Sequence, residues 1–157
     1  MESLAFARAL HVLAVVIWIG GVAMITTVVL PAVRRGELGD DRRRAFEAVE
    51  RRFVWPARLM VLLAGATGLY MVMRLDLWSR FGTVHYWWMH AMVGVWSLFA
   101  LMLFIIEPLG QDNRLRRHSD TGADTTLRRL HRAHLVLLGL ALLTLLGAVA
   151  GSHGWMP

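Results

Sequence analysis

A chain of 157 residues that is 57% hydrophobic, with a mean hydropathy of +0.51, is too apolar for an ordinary soluble domain of its size and reads as an integral membrane protein. It has no cysteine, which excludes disulfides, thiolate metal sites, iron–sulfur clusters and covalent c-type haem attachment, and leaves His, Met and carboxylates as ligands. All 17 basic residues are arginine, so lysine chemistry is closed to the chain; they cluster between apolar runs, so topology rather than nucleic acid accounts for the pI near 11.3.

The first apolar run, about 4–30, ends at Pro31 and leads into a charged stretch from Arg34 to Arg44. It is too long for a signal-peptide core and lacks small residues for cleavage, so it reads as a retained span. Between Arg42 and Arg52, the apolar residues Ala45, Phe46, Val49 and Phe53 fall at helical spacing. This predicts an interfacial helix leading into the second span, 53–73, which has Pro56 near its start and Gly65 and Gly68 in its middle. A polar link, 74–83, precedes the third span, 86–106, which ends at Glu107-Pro108. After a polar, arginine-bearing loop, Asp124 or Thr125 is the expected N-cap of the last helix, whose apolar part covers 134–151.

Runs of this length suit a hydrocarbon layer of about 30 Å at about 1.5 Å per residue. The expected fold is therefore all-α, a single four-helix transmembrane bundle over 1–157. Thirteen arginines, Arg43 among them, fall in the two basic loops 31–52 and 107–133 and in the helix ends that flank them; the other side holds Arg8, Arg74 and Arg80. That asymmetry predicts N and C termini on the periplasmic side of a bacterial-type inner (plasma) membrane, crossed several times.

This topology places His11 and His90 at one depth, each about two turns inside its span. His90 closes the sequence His85-Tyr-Trp-Trp-Met-His90, whose aromatics mark a membrane–water interface. An imidazole in hydrocarbon is costly and is expected to face a partner. Two such histidines on different helices, with Gly94, Gly65 and Gly68 nearby, suit a b-type haem: axial nitrogens on both faces and backbone close enough to admit a flat macrocycle. Arg8, one turn from His11, could pair with a haem propionate, with Tyr70, Arg74, Arg80 and Tyr86 as further partners. The competing reading is that Arg8 snorkels, the glycines only permit close helix packing, and the histidines hydrogen-bond to neighbouring helices.

A metal-ion site is the alternative. Met71, Met73, Met89, Met92, Met156, His85, His90 and His153 fall at the same end, and thioethers with imidazoles suit Cu(I). Methionine is also a common apolar filler, and adjacent Met89 and His90 point about 100° apart. At the other end, Glu107, Arg58, His131 and His134 form either a polar cluster or, for Glu107, a solvated helix end paired with an arginine. His131 and His134 share a face that suits a metal or a lipid phosphate. No phosphate loop, HExxH or Ser-His-Asp arrangement is present, which sets a soluble-type hydrolase aside.

Three stretches, Leu10-His-Val-Leu-Ala-Val-Val-Ile-Trp-Ile-Gly-Gly21, Glu50-Arg-Arg-Phe-Val-Trp-Pro56 and Tyr86-Trp-Trp-Met-His-Ala91, resemble the small four-helix membrane proteins related to CopD-type copper-resistance proteins and HemJ-type protoporphyrinogen oxidases. The resemblance covers about two thirds of the chain, helices one to three. It implies a haem-b-binding membrane protein with His11 and His90 at the family's histidine positions, or copper handling in the periplasm. The chain departs from the pattern at Met92, where the family carries lysine.

The expected function is thus a membrane-embedded haem b protein for electron transfer or haem-linked oxidation. Its axial ligands are His11 and His90, and Arg8, Gly68, Gly94, Tyr70 and Tyr86 lie around the cofactor. The expected partners are the lipid bilayer and a quinone or periplasmic redox protein. The alternatives are a copper-handling or copper-transport protein using His85, Met89 and His153, and a structural subunit of a larger membrane redox complex with no cofactor of its own; assembly as a homo-oligomer or within a membrane complex is a further expectation.

Overall fold

The computed structural model describes residues 2–39, 41–109 and 123–153. Among them every regular element is helical, and four helices are long and apolar enough to cross a membrane. These are α1 (Glu2–Arg35), α2 (Arg42–Arg74), α3 (Val84–Leu109) and α4 (Ala123–Ser152). The chain is thus a multi-pass helical bundle of the kind its composition implies.

Each boundary has a local cause. Gly36 adopts φ +78, and the Gly36 and Glu37 amides bond back to Val33 and Ala32, a Schellman stop in which the left-handed residue is the one without a Cβ. Asp41 then accepts the Arg44 amide at 3.0 Å and caps α2. From there α2 runs unbroken for 33 residues. The expected interfacial helix is therefore its first three turns: the chain does not bend where Phe53 begins the apolar run, because Phe46 is already buried against α1 and α4. In the same way α1 continues through Pro31 to Arg35, and α4 opens at Ala123, well before its apolar run. The expected loops are shorter for that reason. The Asp124 side chain and most of the loop before α4 lie outside the described residues.

Two helices absorb a proline in the same way. In α1 a π turn, Ile25–Val29, ends two residues before Pro31; in α3 a π turn, Met102–Ile106, ends two residues before Pro108. Proline cannot donate an amide hydrogen and its ring crowds the carbonyl four residues back, and a wider turn relieves that crowding. In α3 the Glu107 amide reaches back to Met102, so the Leu103 carbonyl is passed over. Arg58 of α2 supplies the missing donor, Nε to that oxygen at 3.0 Å.

Two hairpins, α1–α2 and α3–α4, pair side by side, and α1 also touches α4 while α2 touches α3. The core sits where all four meet: Trp18, Ile19 and Val22 from α1, Val61 from α2, Phe99 from α3, Leu138 and Ala141 from α4. Trp18 and Phe99 meet edge to face at 5.0 Å. Lipid tails are as apolar as the core, so close packing rather than water exclusion must hold such helices together. The sequence provides for this with glycines that receive aromatic rings. Phe53 lies on Gly21, Trp96 on Gly65, Trp87 on Gly147 and Trp88 on Gly151, and a Cβ at any of the four would come within 2.6 Å of the ring. Of the glycines expected to leave room for a macrocycle, Gly65 is filled by Trp96.

Candidate histidine site between the first two helices

His11 lies on α1 two turns outward from Trp18, on the face that meets α2. That face carries Ala7 and Ala14, both buried, whose small side chains let the helices approach. The His11 Nδ1 is 2.9 Å from the Ala64 carbonyl oxygen and 3.0 Å from Thr67 Oγ1. Thr67 donates its own hydroxyl to the Leu63 carbonyl at 2.6 Å, which leaves its oxygen free to accept. Both contacts are therefore satisfied by one tautomer, with the proton on Nδ1. Nε2 keeps its lone pair and has no hydrogen-bond partner among the described residues.

Gly68 completes the site. A Cβ there would stand 3.3 Å from His11 Cε1, so the ring rests against bare backbone. Ala64, Thr67 and Gly68 occupy one face of α2 at spacings of three and four. Reading the sequence for titratable groups passes over Ala64 and Thr67; a hydroxyl three residues after a small residue in the middle of a span was the available signal.

His90 is placed elsewhere. It is exposed on the outward face of α3, and its Nε2 donates to the Phe81 carbonyl at 2.9 Å while the two rings meet edge to face at 5.4 Å. Phe81 belongs to the 3₁₀ turn Trp78–Gly82, so His90 ties the α2–α3 connection to the start of α3. Gly94, one turn further, is also exposed, with nothing within 4 Å of where its Cβ would be. Trp96 and Phe99, not His90 and Gly94, occupy the inward face of α3. The expectation that His11 and His90 face each other is not what the structure shows: the aromatic residues compete for the inward face, and they win because glycines opposite accept them.

The remaining expected residues are dispersed. Arg8 is exposed and Tyr70 half-buried, and neither is hydrogen-bonded to the His11 ring. Tyr86 sits beneath the Arg80 guanidinium, 4.9 Å from its ring centre, and packs edge-on against His85 and Trp88. Met89 is buried, His85 exposed, and His153 caps its own helix with Nδ1 on the Val149 carbonyl at 2.9 Å. Trp88, seated on Gly151 and 5.8 Å from the His85 ring, intervenes between the ends of α3 and α4. Among the described residues no three of His, Asp and Glu converge on a point, and Met156 lies outside them.

At the opposite end the expected polar cluster divides into separate contacts. Arg58 pairs with Glu107 at 2.7 Å, with side chains only 20% and 13% exposed, so that carboxylate is an enclosed partner rather than a solvated helix end. His131 accepts from Arg34 at 2.9 Å, and His134 donates to the Leu130 carbonyl of its own helix.

Fold and site together define a multi-pass four-helix membrane bundle with a half-buried, tautomer-locked histidine on the seam of its first hairpin. Comparison of the chain with family models, curated proteins and solved structures returned no match.

Proposed function

We propose that this protein is a membrane-embedded haem b protein, of the CopD/HemJ kind that its motifs resemble, in which His11 is an axial ligand. Its work is then one-electron transfer with a quinone or periplasmic partner, or a haem-linked oxidation. The observation that carries this reading is the Nδ1–H of His11 held on the Ala64 carbonyl. Imidazoles that ligate a metal through one nitrogen donate the other to a carbonyl or carboxylate, which fixes the tautomer and raises ligand basicity.

Of the two expected ligands, His11 would hold the iron through its free Nε2, whereas the His90 Nε2, as placed, is committed to Phe81. The haem itself would supply the redox-active iron. The chain's own residues orient the imidazole (Ala64, Thr67) and set backbone rather than a side chain against its edge (Gly68). Arg8, exposed one turn outward, is the cation available to a propionate.

The test is an optical spectrum of the detergent-purified protein, air-oxidised and then dithionite-reduced, with a pyridine haemochrome assay. Haem at about one per chain, lost in His11→Ala and retained in His90→Ala, is expected. A preparation that stays colourless after haem supplementation, or a His11→Ala protein that binds haem like the parent, overturns the reading. Copper analysis of the colourless protein then decides the metal alternative.

A further inference from the structure

The end of the bundle remote from His11 carries a second polar feature, about 35 Å away along α1. Where α1 stops and α4 begins, a cavity of about 310 Å³ is lined by Pro31, Arg34, Arg35 and Arg128. Three of the four lining residues among those described are arginines, contributed by two different helices. The space is well beyond that of a single water, about 30 Å³.

Arg34 is the built part of this site. Its Nη1 donates to His131 Nδ1 at 2.9 Å, which anchors the guanidinium to α4. The acceptor is an imidazole nitrogen and not a carboxylate, so the charge is held in place without being neutralised. Its Nε–H is buried with no partner, although an unpaired buried donor is costly. Arg35 is held at the rim by Glu37, and Arg128 reaches the opposite wall from the second turn of α4. Below the cavity α1 turns apolar at once: Leu30 and Val33 are fully buried. The arginines therefore stand at the boundary between apolar span and polar helix end.

We propose that this cavity binds a phosphate group. Guanidinium forks match phosphate oxygens in pairs, and the Arg34 charge, held by an imidazole, has no anionic partner among the described residues. Two sources carry that chemistry: the headgroup of an anionic phospholipid, whose phosphate lies at this depth in a bilayer, and a soluble phosphate.

The experiment measures thermal unfolding of the full chain in a maltoside detergent, which itself contains no phosphate. Short-chain phosphatidylglycerol, inorganic phosphate and potassium chloride at matched ionic strength are titrated in turn. A saturable rise in the unfolding midpoint with phosphatidylglycerol, and none with the salt control, assigns a lipid headgroup. A rise with inorganic phosphate that the lipid does not exceed assigns a soluble phosphate. Arg34→Gln and Arg128→Gln should each weaken the effective ligand about tenfold, as expected for one charge-assisted contact. Arg128 is exposed, so its variant reports binding even if Arg34→Gln perturbs folding. Arg51→Gln removes an exposed arginine from α2, outside the cavity, and should leave binding unchanged. No shift with either phosphate, or equal losses in the Arg51 variant, overturns the proposal.

Discussion

His11 on α1 and Ala64 on α2 are joined by a side-chain-to-carbonyl hydrogen bond of 2.9 Å across 53 residues of sequence. It crosses the seam between the two helices of the first hairpin, and it does so with a carbonyl that regular helix geometry already uses. Such a bond directs the imidazole more than it stabilises the bundle, since interhelical polar contacts in membranes average about 0.6 kcal/mol.

Replacing Thr67 by Val, nearly the same shape, should therefore cost less than about 1 kcal/mol of stability. The Ala64 carbonyl still holds Nδ1, so the ring keeps its place. Denaturant unfolding in mixed micelles measures this. A loss of several kcal/mol would show that the hydroxyl, not the carbonyl, positions His11.

Three glycines on facing helices should respond to alanine in graded fashion. At Gly65 the new methyl would lie 2.6 Å from the Trp96 indole, which is itself fixed by its bond to the Val61 carbonyl at 2.8 Å. Overpacking of that kind costs about 1–3 kcal/mol. Gly68→Ala presses on His11 at 3.3 Å and should perturb the site more than the fold, visible as a changed imidazole NMR signal. Gly94→Ala meets nothing within 4 Å and should be neutral within about 0.5 kcal/mol. An equally harmful Gly94→Ala would mean that another surface covers this face of α3.

Glu107→Gln should be among the most damaging single changes at the basic end. It leaves Arg58 enclosed with its charge unmatched, although Nε stays on Leu103. Removing one member of a buried pair costs about 3 kcal/mol or more. Guanidinium stacking between Trp55 and Phe104, 5.6 and 5.8 Å from their ring centres, offsets part of that. A loss below about 1 kcal/mol would place the pair in the screened, surface class.

At Glu37 the hydrogen bond from Arg35 holds the carboxyl below its ordinary range, with the Arg35 charge adding to it. A carboxyl whose pKa is lower folded than unfolded contributes above the unfolded value, about 4.3, and loses that contribution as pH falls through the lower folded value. The group is fully exposed, so the expected result is a low titration midpoint by NMR, which returns to the ordinary range in Arg35→Gln. An unchanged midpoint in that variant would remove Arg35 as the cause.

Composition and spacing alone were enough for four apolar helices, their order and their approximate apolar cores, because a span about 20 residues long cannot satisfy its backbone in hydrocarbon any other way. They were also enough to single out His11, since an imidazole inside such a span must find a polar partner. Tertiary structure decided which partner. The inward face of α3 was open to His90 and Gly94 or to Trp96 and Phe99, and hydropathy scarcely separates those stripes. Glycines at 65, 147 and 151, on other helices, accept the tryptophans, and that pairing turns His90 outward to Phe81. The continuous α2 and the π turn before Pro108 were hidden for a related reason: both depend on contacts between helices, Phe46 of α2 packed against α1 and α4 and Arg58 of α2 on the Leu103 carbonyl of α3, and no local pattern records them.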